Sequence, residues 1–156
     1  MRRFFDTNVL VYSCDSSDSR KMEVAETSIR ESIAAEGFVV STQVLAEFYV
    51  TAIRRRLFGP AETLRLVRFW SEHDTVAQTP ELLIRGLELH QAHSLSMWDA
   101  LIVQAAIDAR CDVLLTEDLQ HGRRFGDLEI SNPFLSAAHE PVRRTYRGRP
   151  KKRVRV

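Results

Sequence analysis

The chain has 156 residues, 44% of them hydrophobic and 28% charged, with a net charge of +1 and two cysteines. That length suffices for one domain with a sizeable buried core, and the balance excludes a disordered or fibrous chain. The near-neutral total conceals a split: residues 139–156 hold eight Lys/Arg against one Glu, or +7, whereas residues 1–138 hold fourteen Lys/Arg against twenty Asp/Glu, or −6. The sequence therefore divides into a mildly acidic domain over 1–138 and a basic tail over 139–156. No apolar stretch approaches the roughly 18 residues of a membrane span. Asp6, Thr7 and Asn8 break the apolar start that a signal peptide would continue. Cys14 and Cys111 form no CxxC motif. These features predict a cytoplasmic protein with reduced thiols and no membrane partner.

Phe4 and Phe5 open a short strand, which Asp6, Thr7 and Asn8 interrupt before Val9, Leu10, Val11 and Tyr12 resume it. Asp18 or Ser19 caps a helix to about Ala35, with Met22, Ala25, Ile29 and Ile33 at helical spacing, and Gly37 stops it. Phe38 to Val40 form a second strand. Ser41 or Thr42 caps a helix carrying Val44, Leu45, Phe48 and Ala52, with Glu47 beside that stripe. Gly59 and Pro60 precede a helix to about His73 with Leu64, Val67, Phe69 and Trp70 as its apolar residues. Thr75 to Ala77 fit a third strand. Thr79 followed by Pro80 starts a helix with Leu83, Leu87 and His90, and Ser96 caps another, through Ala109, with Asp99 in its first turn. Val113 to Leu115 form a strand running into Thr116, Glu117 and Asp118, and Leu128 to Ile130 a last one. Short apolar strands alternating with helices predict an α/β fold, three layers with a central parallel sheet, whose working groups gather beyond the strands' C-terminal ends.

Four acids lie at element ends or inside apolar runs: Asp6, Glu47, Asp99 and Asp118. None has a lysine within three positions, so local ion pairs do not account for them, and buried unpaired carboxylates are costly. Brought together they would repel, and a hard dication such as Mg²⁺ or Mn²⁺ relieves that repulsion through oxygen ligands. Asn8 and Thr116 are short polar groups able to orient a water or a ligating carboxylate. This chemistry is metal-dependent phosphodiester hydrolysis without a covalent intermediate. Other α/β chemistries lack their residues. No second carboxylate stands two positions after Asp6, no lysine lies late in the domain, and neither GxGxxG nor GxSxG occurs. His90 and His93 have no further His or Cys partners for zinc.

The stretches Phe5-Asp6-Thr7-Asn8-Val9-Leu10-Val11-Tyr12, Trp98-Asp99-Ala100-Leu101-Ile102 and Leu114-Leu115-Thr116-Glu117-Asp118-Leu119, with Glu47 after the second strand, resemble the PIN-domain family, and within it the VapC-type toxins of bacterial toxin–antitoxin pairs. The resemblance runs from about Arg3 to Phe134. It implies an α/β/α PIN-like domain, dimeric, that binds Mg²⁺ or Mn²⁺ and cuts RNA as an endoribonuclease, held inactive by a cognate antitoxin. Carried over by position, Asp6, Glu47 and Asp99 are the core catalytic and metal-binding carboxylates, Asp118 is the fourth, and Thr116 matches the hydroxyl two residues before it. Glu117 is an extra adjacent acid; strand alternation sends 117 and 118 to opposite sides, and the family pattern favours Asp118.

The tail, HEPVRRTYRGRPKKRVRV, lies beyond the resemblance. It reads as a basic arm for a polyanion, with Arg147, Arg149, Lys151, Lys152 and Arg153 as nucleic-acid-binding residues. The core Arg147-Gly148-Arg149-Pro150 also resembles an AT-hook, which would lie in the minor groove of A·T-rich DNA. Two functions therefore stand side by side: a metal-dependent endoribonuclease toxin, and a DNA-binding or regulatory module using the PIN fold as scaffold.

Overall fold

Phe4 and Phe5 are wholly buried, and the strand they form (β1, Arg3–Phe5) lies in the middle of a six-stranded sheet. The computed structural model describes residues 1–135, so the basic tail with Arg147, Arg149, Lys151, Lys152 and Arg153, and the boundary at residue 138, lie outside the described residues. The chain continues through α1 (Thr7–Tyr12), α2 (Ser19–Ala34), β2 (Phe38–Ser41), α3 (Thr42–Arg54), α4 (Pro60–Ser71), β3 (Asp74–Val76), α5 (Pro80–Ala92), α6 (Met97–Asp108), β4 (Val113–Leu115), β5 (Arg124–Phe125) and β6 (Leu128–Ser131). Strand order is β3-β2-β1-β4-β6-β5. All neighbours are parallel except β5, which pairs antiparallel with β6. The result is the three-layer α/β/α architecture expected.

The order of the strands locates the site. From β1 the chain winds outward through β2 and β3, then returns to place β4 on the other side of β1, with Phe5 opposite Leu115. The crevice at this reversal lies beyond the C-terminal ends of β1 and β4. Asp6 directly follows one strand and Thr116 the other, and the Asp6 amide donates to the Leu115 carbonyl at 3.1 Å.

Three expectations change. Val9 to Tyr12 do not resume a strand: they belong to α1, because the Asp6 carboxylate accepts from the Thr7 amide at 2.6 Å and caps a helix there. Their run of apolar residues comes from burial of Val9, Leu10 and Val11 within the core, and a helix of six residues is too short to show a period. In α4 the buried residues are Thr63 and Trp70, whereas Leu64 and Phe69 are exposed; the Thr63 hydroxyl satisfies itself on the Gly59 carbonyl at 2.9 Å. Finally, α2 ends through Glu36, in the left-handed region at φ 53°, and Gly37 is needed one position later, where a Cβ would stand 2.3 Å from the Met1 carbonyl oxygen.

The helix that carries Asp99 is the most enclosed: every residue of α6 from Ala100 to Ala106 is buried. It contacts β2 and β4 and is covered by α5. Close approach of the two helices depends on Gly86, where a Cβ would lie 2.5 Å from the Leu101 side chain. Both cysteines are free thiols, Cys111 buried and Cys14 half-buried. The two histidines that lack zinc partners in the sequence are otherwise engaged: His90 Nδ1 meets the Leu95 carbonyl at 2.7 Å, and His93 stacks edge-on to Phe125. Among the described residues, no helix is long and apolar enough to cross a membrane.

Candidate active site

Asp6, Glu47, Asp99 and Asp118 all line one pocket of about 270 Å³ at the sheet's C-terminal edge, and Arg54 and Arg55 line it too. Four elements deliver the acids. Asp6 caps α1 at the end of β1; Glu47 sits in α3 behind the buried cap Ser41; Asp99 lies in the first turn of α6; Asp118 follows β4. Exposure grades outward from buried Asp6, through half-buried Glu47 and Asp99, to exposed Asp118.

Short hydrogen bonds fix the inner wall. The buried Thr116 hydroxyl donates to Asp6 Oδ2 at 2.6 Å and accepts from the Asp118 amide at 3.1 Å. Asn8 Nδ2 reaches Asp6 Oδ2 at 3.2 Å, Thr116 Oγ1 at 3.1 Å and Asp118 Oδ2 at 3.0 Å, so one amide ties together the loops after β1 and β4. On the opposite side, Glu47 accepts from the Thr7 hydroxyl at 3.0 Å through Oε2 and from Gln43 Nε2 at 2.9 Å through Oε1. Asp99 Oδ2 accepts from the Ser96 hydroxyl at 2.6 Å while its amide donates back to Ser96 Oγ at 3.1 Å, closing the cap expected of that pair.

Against known families, the model that matches is the PIN domain, over residues 3–125. The chain belongs to the PIN-domain family. Solved structures share the fold of this PIN domain. A toxin–antitoxin complex from Klebsiella pneumoniae superposes with a TM-score of 0.59 at 19% identity, covering 84% of this chain and 97% of that one. VapBC2 of Rickettsia felis, bound to a DNA fragment from its promoter, gives 0.60 at 18% identity over 85% and 98%. The sarcin-ricin-loop-cleaving toxin VapC20 of Mycobacterium tuberculosis gives 0.56 at 19% identity over 72% and 86%. Among curated proteins, none matches the chain.

The two adjacent acids after β4 of this PIN domain differ in their partners. Glu117 accepts from Lys21 Nζ at 2.6 Å and from the Tyr12 hydroxyl at 2.7 Å, with Lys21 lying over the Tyr12 ring. Burial works against the Lys21 charge, but the bonds to Glu117 and Tyr12 outweigh it and raise the lysine's pKa. Glu117 is thus neutralised at the pocket's rim, while Asp118 shares the Asn8 amide with Asp6.

Asp6 carries the main electrostatic load. Burial pushes its carboxyl up to about 6; bonds from Thr116 and Thr7 pull it down, and the charges of Asp118 and Glu47 push it up again. An arrangement of carboxylates, an amide and hydroxyls, free of sulfur and imidazole, suits a hard dication, and its surplus of negative charge is what such an ion would relieve. Among the described residues no three His, Cys, Asp or Glu side chains close on a single point.

Three contributors were not legible as site residues in the sequence: Thr7, Gln43 and Lys21. Gln43 stands four residues before Glu47 on a helix, the spacing at which side chains meet, and that is the signal that could have pointed to it. Lys21 was not findable locally, since its partner Glu117 lies 96 positions away.

Proposed function

We propose that this PIN domain is a metal-dependent endoribonuclease, the toxin of a toxin–antitoxin pair, hydrolysing RNA phosphodiester bonds. The observation that carries the reading is that four carboxylates from four separate elements line one pocket free of sulfur and imidazole. Asp6, Glu47, Asp99 and Asp118 hold Mg²⁺ or Mn²⁺ directly or through its waters. When bound, the ion supplies an activated water and neutralises the charge that develops in an in-line displacement. Asn8 and Thr116 keep Asp6 and Asp118 turned to the pocket, and Arg54 and Arg55 on its rim hold the phosphate backbone of the substrate. The cognate antitoxin occludes this pocket, a role supported by fold relatives found as toxin–antitoxin complexes. The toxin acts as a homodimer; Val50 and Ile84, exposed on α3 and α5, are apolar surface that a second copy would cover.

The test is to express the wild type and Asp6→Asn forms in cells and map new RNA 5′ ends. New ends that appear only with the wild type support the reading, and identical profiles would sink it.

The tail at 139–156 grips the RNA substrate. Its deletion is expected to raise KM for RNA with kcat unchanged. It should also flatten the plot of log K against log salt, whose slope shrinks by about 0.7 for each phosphate of a single strand that the tail no longer neutralises. If instead deletion abolishes affinity for A·T-rich DNA and leaves RNA KM untouched, the Arg147-Gly148-Arg149-Pro150 segment is a minor-groove hook and the DNA-binding reading of the tail is the right one.

A further inference from the structure

Trp98 is an indole left 57% exposed, although it stands one residue before Asp99 in the first turn of α6. It lines the acidic pocket and also an adjoining cavity of about 590 Å³ lined by Gln43, Ala46, Glu47, Gln78 and Trp98. Trp98 and Glu47 are the residues the two cavities share.

The second cavity differs chemically from the first. It contains no Lys or Arg, so nothing in it favours a phosphate. It offers instead an aromatic face, the Ala46 methyl and two side-chain amides. The Gln43 amide nitrogen is committed to Glu47 Oε1 and to the Trp98 carbonyl, at 2.9 and 3.4 Å, which fixes its orientation and leaves its oxygen as an acceptor. The Gln78 amide side chain has no hydrogen-bond partner among the described residues, while its backbone N–H is anchored on the Thr42 hydroxyl at 3.1 Å. A flat apolar surface with free donor and acceptor groups at its edge matches a nucleobase, which has a π face to stack and polar atoms on its rim.

We propose that Trp98 is the stacking platform for a nucleobase flanking the scissile phosphate, with Gln43 and Gln78 facing the base edge. This deepens the endoribonuclease reading and rests on it. A single strand whose phosphate lies among the acids carries its neighbouring base across the shared wall into the second cavity. A double helix keeps its bases stacked and cannot supply one, so the substrate at this step is an unpaired segment, a loop or a bulge.

The experiment uses the full chain and single-stranded RNA hexamers, either intact or with one abasic position scanned along them. An Asp118→Asn background silences cleavage under the nuclease reading. Stacking on Trp98 should quench tryptophan emission, because the chain's other tryptophan, Trp70, is buried against Phe48. Trp98→Ala is expected to weaken binding of intact hexamers by about five- to a hundredfold, in line with the loss of one stacked base, and Trp98→Phe by no more than about threefold. At the sensitive abasic position the Trp98→Ala and parent proteins should bind equally. Equal binding of intact hexamers by both, or an equal loss on intact and abasic hexamers, overturns the proposal. So does conversion of a dimer to a monomer by Trp98→Ala in sedimentation, which would assign the indole to a protein interface. Trp98-dependent binding without metal-dependent cleavage by the otherwise wild-type chain keeps the base site and sinks the nuclease reading. Cleavage with no abasic signature at Trp98 does the reverse.

Discussion

Asp99→Asn and Asp6→Asn are each expected to lower the proposed Mg²⁺-dependent RNA cleavage by at least about a hundredfold, the scale on which loss of one preorganised electrostatic group acts, with far-UV circular dichroism unchanged. The amide keeps the shape and removes the charge. At residue 99 the helix cap survives, because it runs from the backbone amide to Ser96 Oγ. Asp118→Asn should behave alike, since this acid shares the Asn8 amide with Asp6. Glu117→Gln is the informative contrast: its carboxylate is spent on Lys21 and Tyr12, so cleavage should fall by no more than about threefold. Initial rates at matched Mg²⁺, after a second purification step, check the series. Full activity in either of the first two variants would remove the assignment of these carboxylates.

The second large effect concerns stability. The Asp6 carboxyl has an ordinary value of 3.8, and burial, first of all, raises it to about 6 in the folded protein. For an acid with a raised folded value, both states are protonated below pH 3.8 and nothing is lost. As pH climbs from there to about 6, the unfolded chain ionises first and stability falls; above about 6 the full penalty stands. At about 1.4 kcal/mol for each tenfold change in proton affinity, that penalty is about 3 kcal/mol. Asp6→Asn removes it but has one oxygen to receive Thr7, Asn8 and Thr116, so the net gain at pH 7.5 should be about 1–3 kcal/mol, or several degrees in Tm. The gain should shrink to nothing or reverse below pH 4. Millimolar Mg²⁺ should raise the wild-type Tm at pH 7.5 and leave that of Asp6→Asn nearly unmoved. Denaturant melts across pH, with and without the ion, measure all of this; a variant less stable than the wild type at pH 7.5 would contradict it.

A group that costs stability and is kept is the ordinary signature of a working site. It also explains which parts of this protein were readable in its letters. The acids stood out because each interrupts a hydrophobic run, and the alternation of short strands with capped helices was sufficient for the α/β sandwich. Ser96 and Thr79 cap as their spacing promises, each on the amide three residues on. What escaped were features decided by neighbours distant in sequence. Val9 to Tyr12 have the composition of a strand, and the helix there depends on a cap made by the site's own Asp6. Two residues of β5 are too few for any pattern and owe their pairing to β6. In α4 apolar residues surround the axis, so which of them faces inward, Trp70 against Phe48, is set by α3 and not by period. The preference for Asp118 over Glu117 comes from the family resemblance; β4 ends at Leu115, so strand alternation reaches neither acid, and both line the pocket, Glu117 held there by a lysine on α2.

The enclosure of α6 limits how this protein can be switched off. Asp99 rides on a helix whose next seven residues are sealed between sheet and α5, so shifting the backbone that carries the acid means opening the core. Packed interiors resist small displacements, and amides in such a helix exchange only when the whole domain opens. An inhibitor that had to bend the pocket out of shape would work against the folding energy of the entire molecule. One that plugs or caps the pocket works against none of it, and can be shed to leave the active arrangement intact.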